Sequence, residues 1–152
     1  MQVRALERGE LPIALQLAWK VFNRFEAPEY SAEGTENFRK TIMDPAYGFG
    51  IRGYGAFDGE TMVGMLATRN AGAHITLLFV EEAYHRKGIG RMLFDAAEKD
   101  APEGAITVNA SPYAVEAYRH LGFAATKPEQ LTDGIRYTPM VYIRRVPSQA
   151  NL

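Results

Sequence analysis

Apolar residues in the first part of the chain recur at spacings of three and four. Leu11, Leu15, Ala18, Phe22 and Phe25 fall on one face of a predicted helix. Ahead of it, Val3-Arg4-Ala5-Leu6 alternates apolar with polar, as a strand does. Behind it, Glu26-Ala27-Pro28-Glu29-Tyr30 breaks the period, because proline has no N–H to give and crowds the turn before it. Ser31 caps a second predicted helix that carries Phe38 and Ile42 and stops ahead of Pro45.

In the middle of the chain the period drops to two. Tyr54-Gly55-Ala56-Phe57 and residues 62–68 flank Asp58-Gly59, a hairpin signal. Ala71-Gly72 marks another turn, and residues 74–80 form a third strand. Ile75, Leu77 and Phe79 are expected on one side of it, with Thr76, Leu78 and Val80 on the other. Both sides are mostly apolar, so this strand is expected at the centre of the sheet, covered on both faces.

A helix from Gly88 to about Lys99 follows, with Ile89, Met92, Leu93, Ala96 and Ala97 inward. Residues 105–109 form a short strand with Ile106 and Val108 pointing one way. Ser111-Pro112 opens a further helix, serine as N-cap and proline at the first helical position, and Gly122 closes it. Two strands flank Asp133-Gly134, and Pro139 inside the second argues for an edge, a bulge or an early end. The order β-α-α-β-β-β-α-β-α-β-β defines an α/β (α+β) sheet domain.

Composition narrows this picture. The 152 residues suit one domain over 1–152, with a frayed tail at 147–152. The formal net charge is -1, from 17 basic and 18 acidic residues, which speaks against nucleic acid as a partner. The chain has no cysteine, which removes disulfides, thiolate metal ligands and a cysteine acyl-enzyme. No apolar run reaches about 18 residues, so no membrane is spanned. The N-terminus lacks the apolar region of a signal peptide, and a soluble cytoplasmic protein without a metal site is expected.

Candidate chemistry gathers in two segments. In Leu77 to Arg91 a strand ends, a glycine-bearing loop turns and a helix begins. Unpaired N–H groups and the positive end of the helix dipole lie at such a start. Arg86, Lys87 and Arg91 add positive charge, so the turn suits a diphosphate. A Walker A loop fails, since Gly88-Ile89-Gly90-Arg91 lacks its Gly-Lys-Ser/Thr ending. A dinucleotide fingerprint fails too: Leu93 stands at its third glycine and Asn109 at its acidic position. On this turn alone, glycines serving only backbone geometry explain the residues equally well. The second segment runs from Val108 to Phe123, where Ala114, Tyr118 and Leu121 share one helix face. A core aromatic is the commoner fate of such a tyrosine. Asn109-Ala110-Ser111 also matches a glycosylation sequon, but its strand-end position speaks against that use.

Taken together, the two segments resemble the GNAT superfamily of N-acetyltransferases, which use acetyl-coenzyme A. The motif [QR]-x-x-G-x-[GA] is matched by His85-Arg86-Lys87-Gly88-Ile89-Gly90, with His85 in place of the usual Gln or Arg. An Asn followed by Ala-x-x-x-Tyr-x-x-x-Gly-Phe is matched by Asn109 and by Ala114 through Tyr118 to Gly122-Phe123. The resemblance implies one mixed, mostly antiparallel sheet of about seven strands, helices on both faces, and strands splayed into a V-shaped cofactor cleft. It implies that His85, Arg86, Lys87, Gly88, Ile89, Gly90 and Arg91 hold the coenzyme A diphosphate. Leu78, Phe79 and Val80 would pair with the pantetheine arm, and an N–H near Phe79 or Val80 would bind the thioester oxygen. Asn109 and Ser111 would line the far side, with Tyr118 beside the sulfur.

The reaction so implied is direct attack of a neutral amine on the thioester carbonyl, with no covalent enzyme intermediate and Tyr118 as general acid. Glu81 and Glu82 are candidate bases, with Glu26, Glu29, His74 and His85 as further options. Trp19, Phe25, Glu26, Glu29 and Tyr30 fall where the family places the amine acceptor, a small molecule or a peptide. Glu26, Glu29, Glu33 and Glu36 form an acidic patch that favours a cationic amine, and a solvated charged face explains it equally well. A non-catalytic coenzyme A-binding module is the alternative reading. Pairing through edge strands, common among relatives, leaves a homodimer open.

Overall fold

The structure, a computed structural model, describes residues 1–144; the tail expected at 147–152 lies outside the described residues. Eight strands form: β1 (Gln2–Ala5), β2 (Arg52–Asp58), β3 (Thr61–Arg69), β4 (His74–Val80), β5 (Ala105–Ala110), β6 (Ala124–Ala125), β7 (Gln130–Thr132) and β8 (Ile135–Ile143). They make one sheet in the order β1-β2-β3-β4-β5-β8-β6, with β7 also paired to β8. Every pairing is antiparallel except β4 with β5. The strand beyond the expected seven is β6, whose two residues are too short to show a period.

Two helices cover one face. The three-and-four spacing of α1 (Leu11–Phe25) buries Leu11, Ala14, Leu17, Ala18, Val21 and Phe22, while Leu15 and Phe25 sit half-buried at its margin. In α2 (Ala32–Met43) the Ser31 hydroxyl accepts from the Gly34 N–H at 3.0 Å, the expected cap. Together they close a core over Met65, Ala67, Leu77 and Phe79. On the other face, α3 (Ile89–Lys99) and α4 (Val115–Leu121) share a core with residues from both halves of the sheet. There α3 buries Phe94 rather than the expected Met92, which is exposed.

Three local expectations are corrected. The hairpin loop between β2 and β3 is Gly59-Glu60, one position later than Asp58-Gly59, because Asp58 still pairs with Thr61. In β4, Ala67 pairs with Leu77 and Thr68 with Ile75, so Thr76 is an extra residue, a β-bulge. The bulge reverses the alternation: Ile75 joins the α3 core, and Leu77 and Phe79 join the α1 core. Leu78 and Val80 are half-buried and pack against the α3 core, so β4 is central and carries apolar contacts on both faces, as expected. Regular helix in α4 begins at Val115, because Ser111-Pro112-Tyr113-Ala114 forms a hydrogen-bonded turn first, in which the Ala114 N–H donates to the Ser111 carbonyl at 2.9 Å and to its hydroxyl at 3.3 Å.

Pro139 lies inside a strand flanked on both sides, by β5 and by β6. Its carbonyl accepts from the Thr126 N–H at 2.9 Å, so its missing N–H also points toward that side, where β6 has already ended. No bond to β5 is lost, and β8 runs on to Ile143.

Candidate active site

β4 and β5 hold together at only two rungs, His74 with Thr107 and Ile75 with Val108. Beyond Ile75 the strands part. The Glu81 N–H bonds the Val63 carbonyl of β3 at 2.8 Å. Backbone groups alternate along a strand, so those of Leu78 and Val80 face the gap and those of Phe79 face β3. Of the two amides expected near the thioester, Val80's faces the gap. Its carbonyl is already taken, for His85 Nε2 donates to it at 2.7 Å.

The loop out of β4 turns through two left-handed residues, Arg86 (φ 62) and Gly88 (φ 78). This conformation is ordinary for glycine and strained for arginine. Gly88 stands at the N-cap of α3 with no side-chain cap, so the first amides of the helix are left without partners. A Cβ at Gly88 would meet nothing within 4 Å, so glycine is required there by its backbone angle alone. Tyr84 anchors the loop by donating to Asp58 Oδ2 at 2.6 Å.

Opposite this loop, α4 places Tyr118, 5% exposed. Burial, aided by the charge of Glu26, raises the Tyr118 pKa and keeps the phenol protonated. Glu26, at the end of α1, is 9% exposed. Burial pushes its carboxyl from 4.5 up to about 7; the Ser111 hydroxyl opposes this and the charge of Glu29 adds to it. Phe25 stacks on Tyr113 at 5.2 Å and meets the His85 ring at 5.0 Å, so an aromatic bridge joins the two walls.

A cavity of about 470 Å³ collects these groups. Of the residues singled out in the sequence, it is lined by Leu78, Phe79, Val80, His85, Arg86, Gly88, Ile89, Gly90, Tyr118, Phe25 and Glu26. Others stand apart. Glu81 pairs with Lys20 at 3.1 Å and Glu82 with Arg24 at 3.5 Å, around a separate depression outside the cleft. Neither lines the cavity that holds Tyr118. Lys87 turns its ammonium over the Tyr84 ring at 5.4 Å. Arg91 donates to the His120 carbonyl at 2.7 Å, tying α3 to the end of α4. Asn109 is exposed on the side of β5 opposite Val108, and His74 bonds Thr107 at the closed end of the strand pair. Ser111 is buried beside Glu26 without lining the cavity.

Trp19 stacks against Phe22 at 6.0 Å and Phe38 at 6.4 Å, and Tyr30 meets Phe22 edge-on at 5.1 Å. Both therefore belong to the core between α1 and α2 and not to the cavity wall. Glu29 is exposed outside it. The motif residue Ala114 also lines the cavity, and sequence reasoning missed Val21, Tyr84, Tyr113 and Ala117. Tyr84 and Tyr113 directly follow or precede motif residues, the one signal by which they were accessible.

A gap beside a strand edge thus meets a helix start rich in free amides, a setting suited to an extended ligand that ends in an anionic group. The profile of the acetyltransferase (GNAT) domain family matches residues 26–144. The chain belongs to the GNAT acetyltransferase family. No functionally curated protein matches it by sequence. Solved structures share its fold. A GCN5-related N-acetyltransferase from Rhodopseudomonas palustris is 23% identical, with a TM-score of 0.80 over 94% of this chain and 95% of that one. PaiA N-acetyltransferase from Thermoplasma acidophilum, solved in complex with coenzyme A, is 21% identical, with a TM-score of 0.71 over 94% and 98%. Tetrahymena GCN5 is 14% identical, with a TM-score of 0.64 over 93% and 95%.

Proposed function

We propose that this chain is an N-acetyltransferase that moves the acetyl group of acetyl-coenzyme A directly to a primary amine of a small molecule or peptide. The observation that carries the reading is the one cleft in which the free edge of β4, the left-handed turn at Arg86 and Gly88, and the buried Tyr118 converge. The residues present fit such a ligand. The first amides of α3 and the turn from His85 to Gly90 suit its diphosphate. The gap-facing groups of Leu78 and Val80 suit an extended amide-bearing arm, as an added strand would.

When bound, acetyl-coenzyme A supplies an activated acyl carbon and a thiolate leaving group. The gap-facing Val80 N–H suits negative charge on an acyl oxygen. Tyr118 keeps its proton on the phenol oxygen and can give it to a developing thiolate. Phe25, Tyr113 and His85 form an aromatic flank to the cleft.

A thiol-release assay with acetyl-coenzyme A and a panel of primary amines tests the reading. Release with any amine supports it. Tight binding of coenzyme A with no release across the panel replaces it with a non-catalytic binding module.

A further inference from the structure

The edge that β4 turns to the gap is not a uniform row of donors and acceptors. Pairing with β5 ends at Ile75, so no strand covers the backbone groups of Leu78 and Val80 on that side. Two N–H donors stand there, but one of the two carbonyls already has a partner: His85 Nε2 lies 2.7 Å from the Val80 oxygen. A carbonyl oxygen only accepts, so the imidazole carries a proton on Nε2. The local fold produces this contact. The Glu81 N–H bonds the Val63 carbonyl at 2.8 Å, and the His85 N–H bonds the Glu82 carbonyl at 3.1 Å, which turns residue 85 back over the end of β4. The peptide between Val80 and Glu81 is thereby bonded at both ends, to β3 and to the imidazole. Phe25 packs on the half-buried ring, tilted at 46° with centroids 5.0 Å apart.

We propose that His85 sets the register of the ligand arm: its side chain closes the Val80 carbonyl, so an amide N–H of the arm finds a free acceptor on this edge only at Leu78. This rests on the acyl-transfer reading above and adds a positioning residue that acts through the backbone of β4. Neighbouring alignments of an extended arm on a strand differ by one repeat of two residues, about 6.6–6.8 Å. In the outer alignment the arm N–H meets a carbonyl whose partner is already in place, and a polar group goes unpaired. A lost pairing of this kind disfavours that alignment roughly 5- to 150-fold. In the inner alignment the Leu78 carbonyl accepts, and the N–H groups of Leu78 and Val80 stay free for acceptors on the ligand. The depth at which an acyl carbon comes to rest is thus fixed from the mouth of the cleft. Glutamine or arginine, the residues usual at this motif position, has more rotamers to lose in making the same bond than histidine has.

The test uses the full chain, labelled with carbon-13 and nitrogen-15, and coenzyme A as the probe. NMR reads the Val80 carbonyl through the Glu81 amide and the Leu78 carbonyl through the Phe79 amide, both turned to β3. In the wild type, saturating coenzyme A is expected to move the Leu78 carbonyl resonance downfield, the direction of a new hydrogen bond, and to leave that of Val80 in place. The His85 ring is expected to keep its proton on Nε2 in both states. His85→Phe keeps a ring against Phe25 and lacks the donor. In this variant the Val80 carbonyl is expected to start upfield of the wild type and to move downfield with coenzyme A. A wild-type Val80 carbonyl that moves downfield with coenzyme A overturns the proposal, whether or not the imidazole stays. A Val80 carbonyl that stays still in folded His85→Phe overturns it as well, and the wild-type spectra decide alone should that variant not fold. Binding that moves neither carbonyl overturns the proposal by placing the arm elsewhere. Calorimetry keeps the two readings apart: a chain that does not bind coenzyme A overturns the acyl-transfer reading and the proposal with it, whereas the outcomes above overturn the proposal alone.

Discussion

Tyr118 and Glu26 face one cavity and are both buried, yet burial acts on them to opposite effect. In each case it favours the neutral form. For the phenol this keeps the proton on oxygen well above the usual range; for the carboxyl it holds a proton up to about 7. Tyr118→Phe removes only the hydroxyl, so thiol release is expected to fall about tenfold or more while calorimetry finds coenzyme A affinity unchanged. Unaltered turnover would return Tyr118 to a packing role beside Phe123, which it meets edge-on at 5.4 Å. Glu26 also ties stability to pH. Its folded pKa of about 7 lies above the ordinary 4.5, so between these values the folded chain holds a proton that the unfolded chain has lost. Stability therefore declines as pH rises across that window and is level above it. Glu26→Gln is expected to match the wild type in urea melts near pH 4 and to exceed it by about 2–3 kcal/mol above pH 7.5. Equal midpoints at both pH values would show that the carboxyl is not desolvated.

At the scale of elements, the hairpin of β7 and β8 closes onto the start of α2. Asn37 donates to the Asp133 carbonyl at 3.2 Å, and the Ser31 hydroxyl to the Gly134 carbonyl at 3.3 Å. A Cβ on Gly34 would stand 2.3 Å from the Gly134 carbonyl oxygen, so two glycines set the closeness of this contact. Alanine inside a helix normally gains about 1 kcal/mol over glycine. Gly34→Ala is nonetheless expected to lose about 1–3 kcal/mol in denaturant unfolding, because the hairpin must lift. A stabilised Gly34→Ala protein would refute the contact. This docking was not legible in the sequence, since it joins residues far apart in the chain. What was legible was local. The period of α1, the Ser31 cap and the turn into α3 each follow from neighbouring residues. The Thr76 bulge escaped because an inserted residue only appears against a partner strand, and Pro139 misled because its carbonyl side cannot be known before β6 is placed. Glu26 carried a mark of polarity but none of depth, which depends on the Ser111 turn brought across from another element.

The whole molecule is two half-sheets, β1 to β4 and β5 to β8, sharing two backbone rungs and one side of the core. The core under α1 and α2 draws its strand residues only from β3 and β4, so on that face the joint between the halves is not packed shut. A ligand arm lying in the gap would supply the missing rungs. Coenzyme A at about 100 times its Kd should add about 2.7 kcal/mol of stability, which for a chain of this size raises Tm by about 5–10 °C. Hydrogen exchange locates the effect. The gap-facing amides of Leu78 and Val80 are expected to exchange quickly in the free protein and to be protected by coenzyme A. The Phe79 amide, already turned to β3, should be slow in both states. The nucleotide half of coenzyme A alone engages only the α3 turn, so it should protect the first amides of α3 and leave Leu78 and Val80 open. Equal protection of those two amides by either ligand would mean that the gap closes by itself when the turn is filled, and the arm would then have no place as a substitute strand.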